Sequence, residues 1–259
     1  MATKRPLIVG NWKMYIASQE DAKKFASGLR RKIALYKNVD VSITPPFTLL
    51  TATAAAFKGS VVKVGSQSIS QFLDEKRTGE VSAAMVKVSG ATFTIVGHSE
   101  RRAMYTTQSE GNNAVRAQIM RAIENNLTII LCVGEAERDA AGAYLSVVTE
   151  QLSSALDKLP VLKPGKLVVA YEPVWAIGKA AADAMKAPDL REMSIFIKKT
   201  LTEYMERSSA LKVPILYGGA VEASNARELL VEGDVQGLLV GHASSSLESF
   251  IEILKAICN

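Results

Sequence analysis

The fold turns on one stretch, Leu167-Val168-Val169-Ala170-Tyr171-Glu172-Pro173-Val174-Trp175-Ala176-Ile177-Gly178. Its first five residues are apolar or aromatic without alternation, which predicts a strand covered on both faces, as in a parallel sheet. A single acid follows at once, and then an apolar segment that ends in glycine. Outward from this stretch the same pattern repeats. Residues 7–9, 39–43, 61–64, 93–96, 127–133, 213–217 and 237–240 are further short, mostly apolar strand candidates. Their starts lie roughly 22 to 46 residues apart, averaging about 33, the length of a βα unit.

The intervening segments read as helices. Ser18-Gln19-Glu20-Asp21 can cap a helix whose apolar face includes Ala22, Phe25, Ala26 and Leu29. Pro188 suits the first turn of a helix running through Ile195, Phe196 and Leu201. Ser245-Ser246-Leu247-Glu248 reads as a capping box before a last helix with Phe250, Ile251 and Leu254 on its core side. Eight strands alternating with eight helices and no linker predict an α/β fold, a single-domain closed parallel (β/α)8 barrel over residues 1–259.

Composition narrows the function classes. Apolar residues make up 48% and charged residues 22% of 259, ordinary for a globular chain. A chain of this length buries about three-quarters of its unfolded surface, so it needs no disulfide staple. Two cysteines, Cys132 and Cys258, in apolar settings fit a reducing compartment. No apolar run reaches the roughly 18 residues of a membrane span, and MATKRPLIVGNWK lacks the apolar core of a secretory signal. A cytoplasmic protein without membrane partners is expected. Only His98 and His242 are available as imidazole ligands, and neither CxxC nor HExxH occurs, so no metal is expected. The net charge of +5 comes from scattered pairs and short runs, which predicts a solvated surface and no nucleic-acid partner.

In such a barrel, chemistry sits on the loops at the C-terminal ends of the strands. Five polar clusters fall there: Asn11-Trp12-Lys13, His98-Ser99-Glu100-Arg101-Arg102, Glu172 with its apolar followers, Gly218-Gly219-Ala220 and Gly241-His242. Each alone has a plain structural reading, as a surface lysine, a buried histidine, a salt-bridged acid or a tight turn; their shared placement argues for a site. Glycine turns after the seventh and eighth strands free backbone N–H groups for a phosphate. Lys13 adds a positive charge. The apolar segment after Glu172 can close over the acid, and desolvation strengthens a carboxylate as a base. A helix opening at His98 would favour a neutral imidazole able to donate to a carbonyl oxygen. Together these suit proton abstraction beside a carbonyl in a small phosphorylated substrate. A serine hydrolase fits poorly, because Gly97-His98-Ser99-Glu100-Arg101 lacks the spacing of a nucleophile elbow.

The segments Gly10-Asn11-Trp12-Lys13-Met14, Thr78-Gly79-Glu80, Val96-Gly97-His98-Ser99-Glu100-Arg101-Arg102, Leu131-Cys132-Val133-Gly134-Glu135, Ala170 through Gly178, Leu216-Tyr217-Gly218-Gly219 and Leu239-Val240-Gly241 occur in order along nearly the whole chain. In them the sequence resembles the triosephosphate isomerase family, whose glutamate-base and neutral-histidine pattern is a standard example of tuned acid–base chemistry. The resemblance implies a TIM barrel and a glycolytic and gluconeogenic isomerase that interconverts dihydroxyacetone phosphate and D-glyceraldehyde 3-phosphate without cofactor. It implies Glu172 as base, His98 as electrophile, Lys13 and Asn11 as polarising groups and Glu100 as their support. Backbone groups of Gly178, Ala220, Gly241 and His242 would take the phosphate. Pro173, Val174, Trp175, Ala176, Ile177 and Gly178 would belong to a closing lid, and Thr78 to a homodimer interface.

Departures from the family pattern fall at the phosphate end and the interface. Ile177-Gly178 is followed by Lys179-Ala180-Ala181-Ala182, with about three extra residues before Pro188, so the lid's second hinge differs. Ala220 stands where a serine is usual, and His242 where a glycine is usual. If the position needs φ > 0, histidine is among the less unfavourable substitutes; the imidazole is expected to offset the missing hydroxyl, so that His242→Ala weakens phosphate-analogue binding. Ser68 after Gln67 and Arg77 before Thr78 also depart from it. Two other readings stay open on the residues alone: a phosphate-liganding barrel without catalysis, and a metal-dependent sugar-phosphate epimerase, against which the shortage of histidines speaks.

Overall fold

In a computed structural model of the chain, residues 5–73 and 76–258 are described. Eight parallel strands close into a barrel in sequence order, with the first bonded to the last. They are β1 (Leu7–Asn11), β2 (Asp40–Thr44), β3 (Lys63–Ser66), β4 (Phe93–Val96), β5 (Thr128–Val133), β6 (Leu167–Tyr171), β7 (Ile215–Tyr217) and β8 (Gly237–Val240). Each is followed by at least one helix on the outside of the barrel. Among the described residues no helix is long and apolar enough to cross a membrane.

The strands are apolar on both faces because there are two cores. Val9, Phe93, Ile95, Ile130, Cys132, Val168, Ala170, Leu216 and Leu239 pack together as one cluster. Their strand neighbours, among them Ile8, Ile129, Leu131, Val169 and Tyr171, pack in a second and larger cluster with the helices. Alternation along β5 and β6 therefore sends successive residues to different cores, and every position but the half-buried Thr128 at the start of β5 is buried.

Most predicted strands fall within one or two residues of the observed ones. The third moves from 61–64 to Lys63–Ser66, because Val61 is exposed and the pairing partners are the small residues beyond it. Gly65 pairs with Phe93, and a methyl group at Gly65 would lie 2.5 Å from the Phe93 ring. The Ser66 hydroxyl donates to the Thr94 hydroxyl at 2.9 Å. An apolarity search misses a strand whose place in the barrel is kept for a neighbour's ring.

The helix starts follow the expected caps with one correction. Ser18 accepts from the Asp21 amide and opens Gln19–Lys32, which buries Ala22, Phe25, Ala26 and Leu29. Pro188 lies in the first turn of Ala187–Leu201. The last helix begins at Leu247, one residue later than a Ser245–Glu248 box requires. Ser246 accepts from the Ser249 amide at 3.4 Å, while the Ser245 hydroxyl donates back to the His242 carbonyl at 2.8 Å.

Candidate active site

The C-terminal ends of β1, β4, β6, β7 and β8 open on one cleft of about 800 Å3. Asn11, Lys13, His98, Glu172, Gly178, Ala220, Gly241 and His242 all line it, as does Ile177 from the apolar segment. Glu100 touches this group through Lys13. Thr78 lies apart, exposed on the loop after β3.

Glu172 ends β6 with its amide donating to the Val133 carbonyl at 2.8 Å. Only 3% of its surface is exposed. The backbone of Glu172 packs so close to Gly134 that any side chain there would run into the Glu172 carbonyl, and a methyl at Gly218 would come within 2.9 Å of the Glu172 Cγ. Two glycines therefore allow the acid its buried place. Its Oε2 accepts from the Ser99 amide at 3.0 Å, and its Oε1 lies 3.4 Å from the His98 Nε2.

His98 is fixed by the four-residue helix Ser99–Arg102 that it caps. The Glu100 amide donates to its Nδ1 at 3.2 Å. With Nδ1 occupied as an acceptor, the ring proton sits on Nε2, the nitrogen that faces the cleft and Glu172. A backbone hydrogen bond at a helix start thus leaves Nε2 as the ring nitrogen free to face the cleft.

Lys13 has φ of 45°, a left-handed conformation that is uncommon outside glycine. Three contacts hold it there. Its amide donates to the Asn11 Oδ1 at 3.1 Å, its carbonyl accepts from the Gln67 Nε2 at 2.9 Å, and its Nζ pairs with Glu100 Oε1. Gln67 also donates to the Thr44 carbonyl at 3.0 Å, tying the loop after β1 to β2. Gln67 went unassigned in the sequence because nothing local marks an amide that bridges two strand ends. Backbone strain at a residue that lines the cleft is characteristic of functional sites.

At the far end, Gly178 has φ of 73° with open space around it. Asn225 Nδ2 donates to the Ala220 carbonyl at 2.9 Å, which fixes the turn after β7. The condition φ > 0 at His242 is not met. His242 begins the 3-10 turn His242–Ser244, and the irregular backbone belongs to Gly241, with φ −85° and ψ −109°. The exposed His242 ring stands edge-on to Tyr15, 5.0 Å between centroids.

The apolar segment after Glu172 forms a 3-10 turn, Val174–Ala176. It is anchored by a second buried acid, Glu135, to which no role falls from the sequence alone. Glu135 accepts from the Tyr171 hydroxyl at 2.8 Å and from the Trp175 Nε1 at 3.0 Å, and Arg138 lies 3.5 Å away. Burial, with Glu135 next, pushes the Tyr171 hydroxyl far up, so it stays a donor. Burial and then the charge of Glu172 likewise push the Cys132 thiol well up. Among the described residues, no three His, Cys, Asp or Glu side chains converge as metal ligands.

Comparison with known proteins places the chain. The family model described as Triosephosphate isomerase matches residues 6–257. The triosephosphate isomerase of Moorella thermoacetica is 40% identical over 256 residues, covering 97% of this chain and 98% of its own. That of Chlamydia muridarum is 37% identical over 260 residues, covering 98% and 92%. The crystal structure of triosephosphate isomerase from Bartonella henselae superposes with a TM-score of 0.84 at 32% identity, covering 97% of this chain and 98% of that one. The chain belongs to the triosephosphate isomerase family.

Proposed function

We propose that this chain interconverts dihydroxyacetone phosphate and D-glyceraldehyde 3-phosphate, an aldose–ketose isomerisation of glycolysis and gluconeogenesis. The observation that carries the reading is the buried Glu172 carboxylate, 3.4 Å from the His98 Nε2 in a cleft that also holds Lys13. Glu172 takes a proton from the carbon beside the substrate carbonyl. The electron pair of that C–H bond moves into the new C=C bond, and the carbonyl pair moves to oxygen, giving an enediolate. His98 donates from Nε2 to that oxygen and carries a proton between the two substrate oxygens. Lys13 and Asn11 stabilise the developing negative charge. Glu172 then returns the proton to the neighbouring carbon, so the enzyme ends unchanged.

The phosphate sits on backbone groups of Gly178, Ala220, Gly241 and His242. Pro173, Val174, Trp175, Ala176, Ile177 and Gly178 close over the site and keep water from the enediolate. Glu100 holds Lys13 and, through its amide, the His98 ring. The reaction needs no metal or organic cofactor. The chain works as one domain, in the cytoplasm.

A homodimer is supported by the exposed apolar residues on the loops of four adjacent strands. Met14 and Tyr15 follow β1, Phe47 follows β2, Leu73 follows β3 and Met104 follows β4; Met14 is 89% exposed and Leu73 78%. Thr78, on the loop after β3, enters the partner's site on this reading. A coupled assay with D-glyceraldehyde 3-phosphate, with and without a chelator, tests the function. Turnover insensitive to the chelator is expected, and its absence or its loss on chelation would overturn the reading.

A further inference from the structure

The cleft is lined by more acids than lysines. Glu172, Glu222, Glu248 and Glu252 stand against Lys13 and Lys179. A phosphate monoester carries a charge of about −1.5 to −2 near neutrality, so it enters this cleft only where cations meet it. Lys13 is already paired with Glu100. Among the described residues, Lys179 has no hydrogen-bond or ion-pair partner. It is the uncommitted ammonium of the cleft.

Lys179 follows Gly178, whose φ of 73° turns the chain in a way side chains resist, and it lines the cleft together with Ala220 and Gly241. Ala220 offers a methyl and the glycines no side chain. A cation at this end therefore comes from Lys179 or from His242, whose ring stands edge-on to Tyr15. Few contacts hold the segment that carries the lysine. Ala176 is buried, and the next buried residue is Met185, whose amide donates to the Tyr217 hydroxyl at 3.3 Å. None of residues 177–184 between these anchors is buried. Such a span shifts at small cost, and the flexible stem of a lysine follows a ligand readily.

We propose that Lys179 binds the substrate's phosphate from the lid side, opposite the backbone N–H groups. The proposal rests on the isomerisation proposed above and adds a residue to its phosphate grip. The ammonium pairs with phosphate oxygens only when substrate is in place, so the attraction favours the closed segment over the open one. The lid shuts more firmly on a phosphorylated triose than on the same triose without phosphate, which makes Lys179 a specificity-determining residue. A different use of the same lysine, an ion pair with Glu222 on the turn after β7, would latch the lid whatever the substrate.

The test compares D-glyceraldehyde 3-phosphate with D-glyceraldehyde, each followed by proton NMR, in the unaltered chain and in Lys179→Met. The position is exposed, so the melting temperature should stay unchanged. For the phosphorylated triose kcat/KM should fall about tenfold, mostly through KM, and for the unphosphorylated one by less than about twofold. The gap should narrow as salt is added, because an exposed charge is screened, and Lys179→Arg should restore most of the loss. Inorganic phosphate should bind Lys179→Met about tenfold more weakly. Glu222→Gln should leave kcat/KM unchanged or raise it slightly by removing a like charge. Equal losses on both trioses, no loss on either, or a loss matched by Glu222→Gln overturns the phosphate contact. No turnover by the unaltered chain overturns the isomerisation; the binding of inorganic phosphate, read by calorimetry, then still tests the lysine.

Discussion

Two buried carboxylates stand at the ends of neighbouring strands, Glu135 beyond β5 and Glu172 beyond β6, with 1% and 3% of their surfaces exposed. Burial does not separate them; their partners do. Glu135 receives a phenol, an indole N–H and a guanidinium. Glu172 receives one backbone N–H at 3.0 Å and a long approach from an imidazole, with a thiol beside it. A saturated buried charge is stable and inert. An acid with fewer partners keeps lone pairs free for a substrate, which is what a base needs. The comparison fits a holding role for Glu135 and supports the chemistry proposed for Glu172.

The largest expected effect breaks the Glu172 side. Glu172→Gln keeps the shape and removes the base, so kcat should fall about 10³- to 10⁴-fold with an unchanged melting temperature. Glu135→Leu should behave in the opposite way. Stripping the acid from Tyr171, Trp175 and Arg138 leaves buried donors unmatched, and stability should drop by about 3–5 kcal/mol in chemical denaturation. Equal losses of activity in the two variants with equal stability would erase the distinction. A smaller effect sharpens it. Trp175→Phe removes one hydrogen bond to Glu135, worth about 1.5–3 kcal/mol because the acceptor is charged, and frees the base of the lid. KM should rise more than kcat falls.

The smallest effect concerns a third acid, the exposed Asp139 on the loop that carries Glu135. Hydrogen bonds from the Ala143 amide, and then those of Ala141 and Tyr144, hold its carboxyl below its usual range; they also cap a helix, Ala143–Leu156, that lacks a capping side chain of its own. A carboxyl held low contributes stability above its unfolded pKa of about 3.9 and loses it as pH falls through the folded value. The melting temperature of Asp139→Asn should lie slightly below that of the unaltered chain near neutrality, and the gap should shrink toward pH 3. A gap that widens in acid would contradict the capping role.

The contrast between the two acids also marks where sequence reading stops. The barrel is legible because strands buried on both faces cannot alternate, and the rim residues are legible because they end those strands. Glu172 stands out by its apolar followers. Glu135 sits in an equally suggestive Cys132-Val133-Gly134-Glu135 run, but its partners come from β6 and the segment beyond it, and no local pattern announces them. Gln67 is hidden for the same reason, since it joins two strand ends that meet only in the folded barrel. The third strand is misplaced because the signal there is a missing side chain at Gly65, which means something only once Phe93 is beside it. Whether His242 needs φ > 0 cannot be read locally either; it does not, and the irregular ψ of −109° belongs to the preceding Gly241.

The most direct test of Glu172 as the proton-taking acid is hydrogen exchange into dihydroxyacetone phosphate in D2O, followed by proton NMR. The unaltered chain and Glu135→Gln should place deuterium on the carbon beside the carbonyl, while Glu172→Gln should leave its hydrogens in place. Exchange by Glu172→Gln at a rate comparable to the unaltered chain would contradict the account.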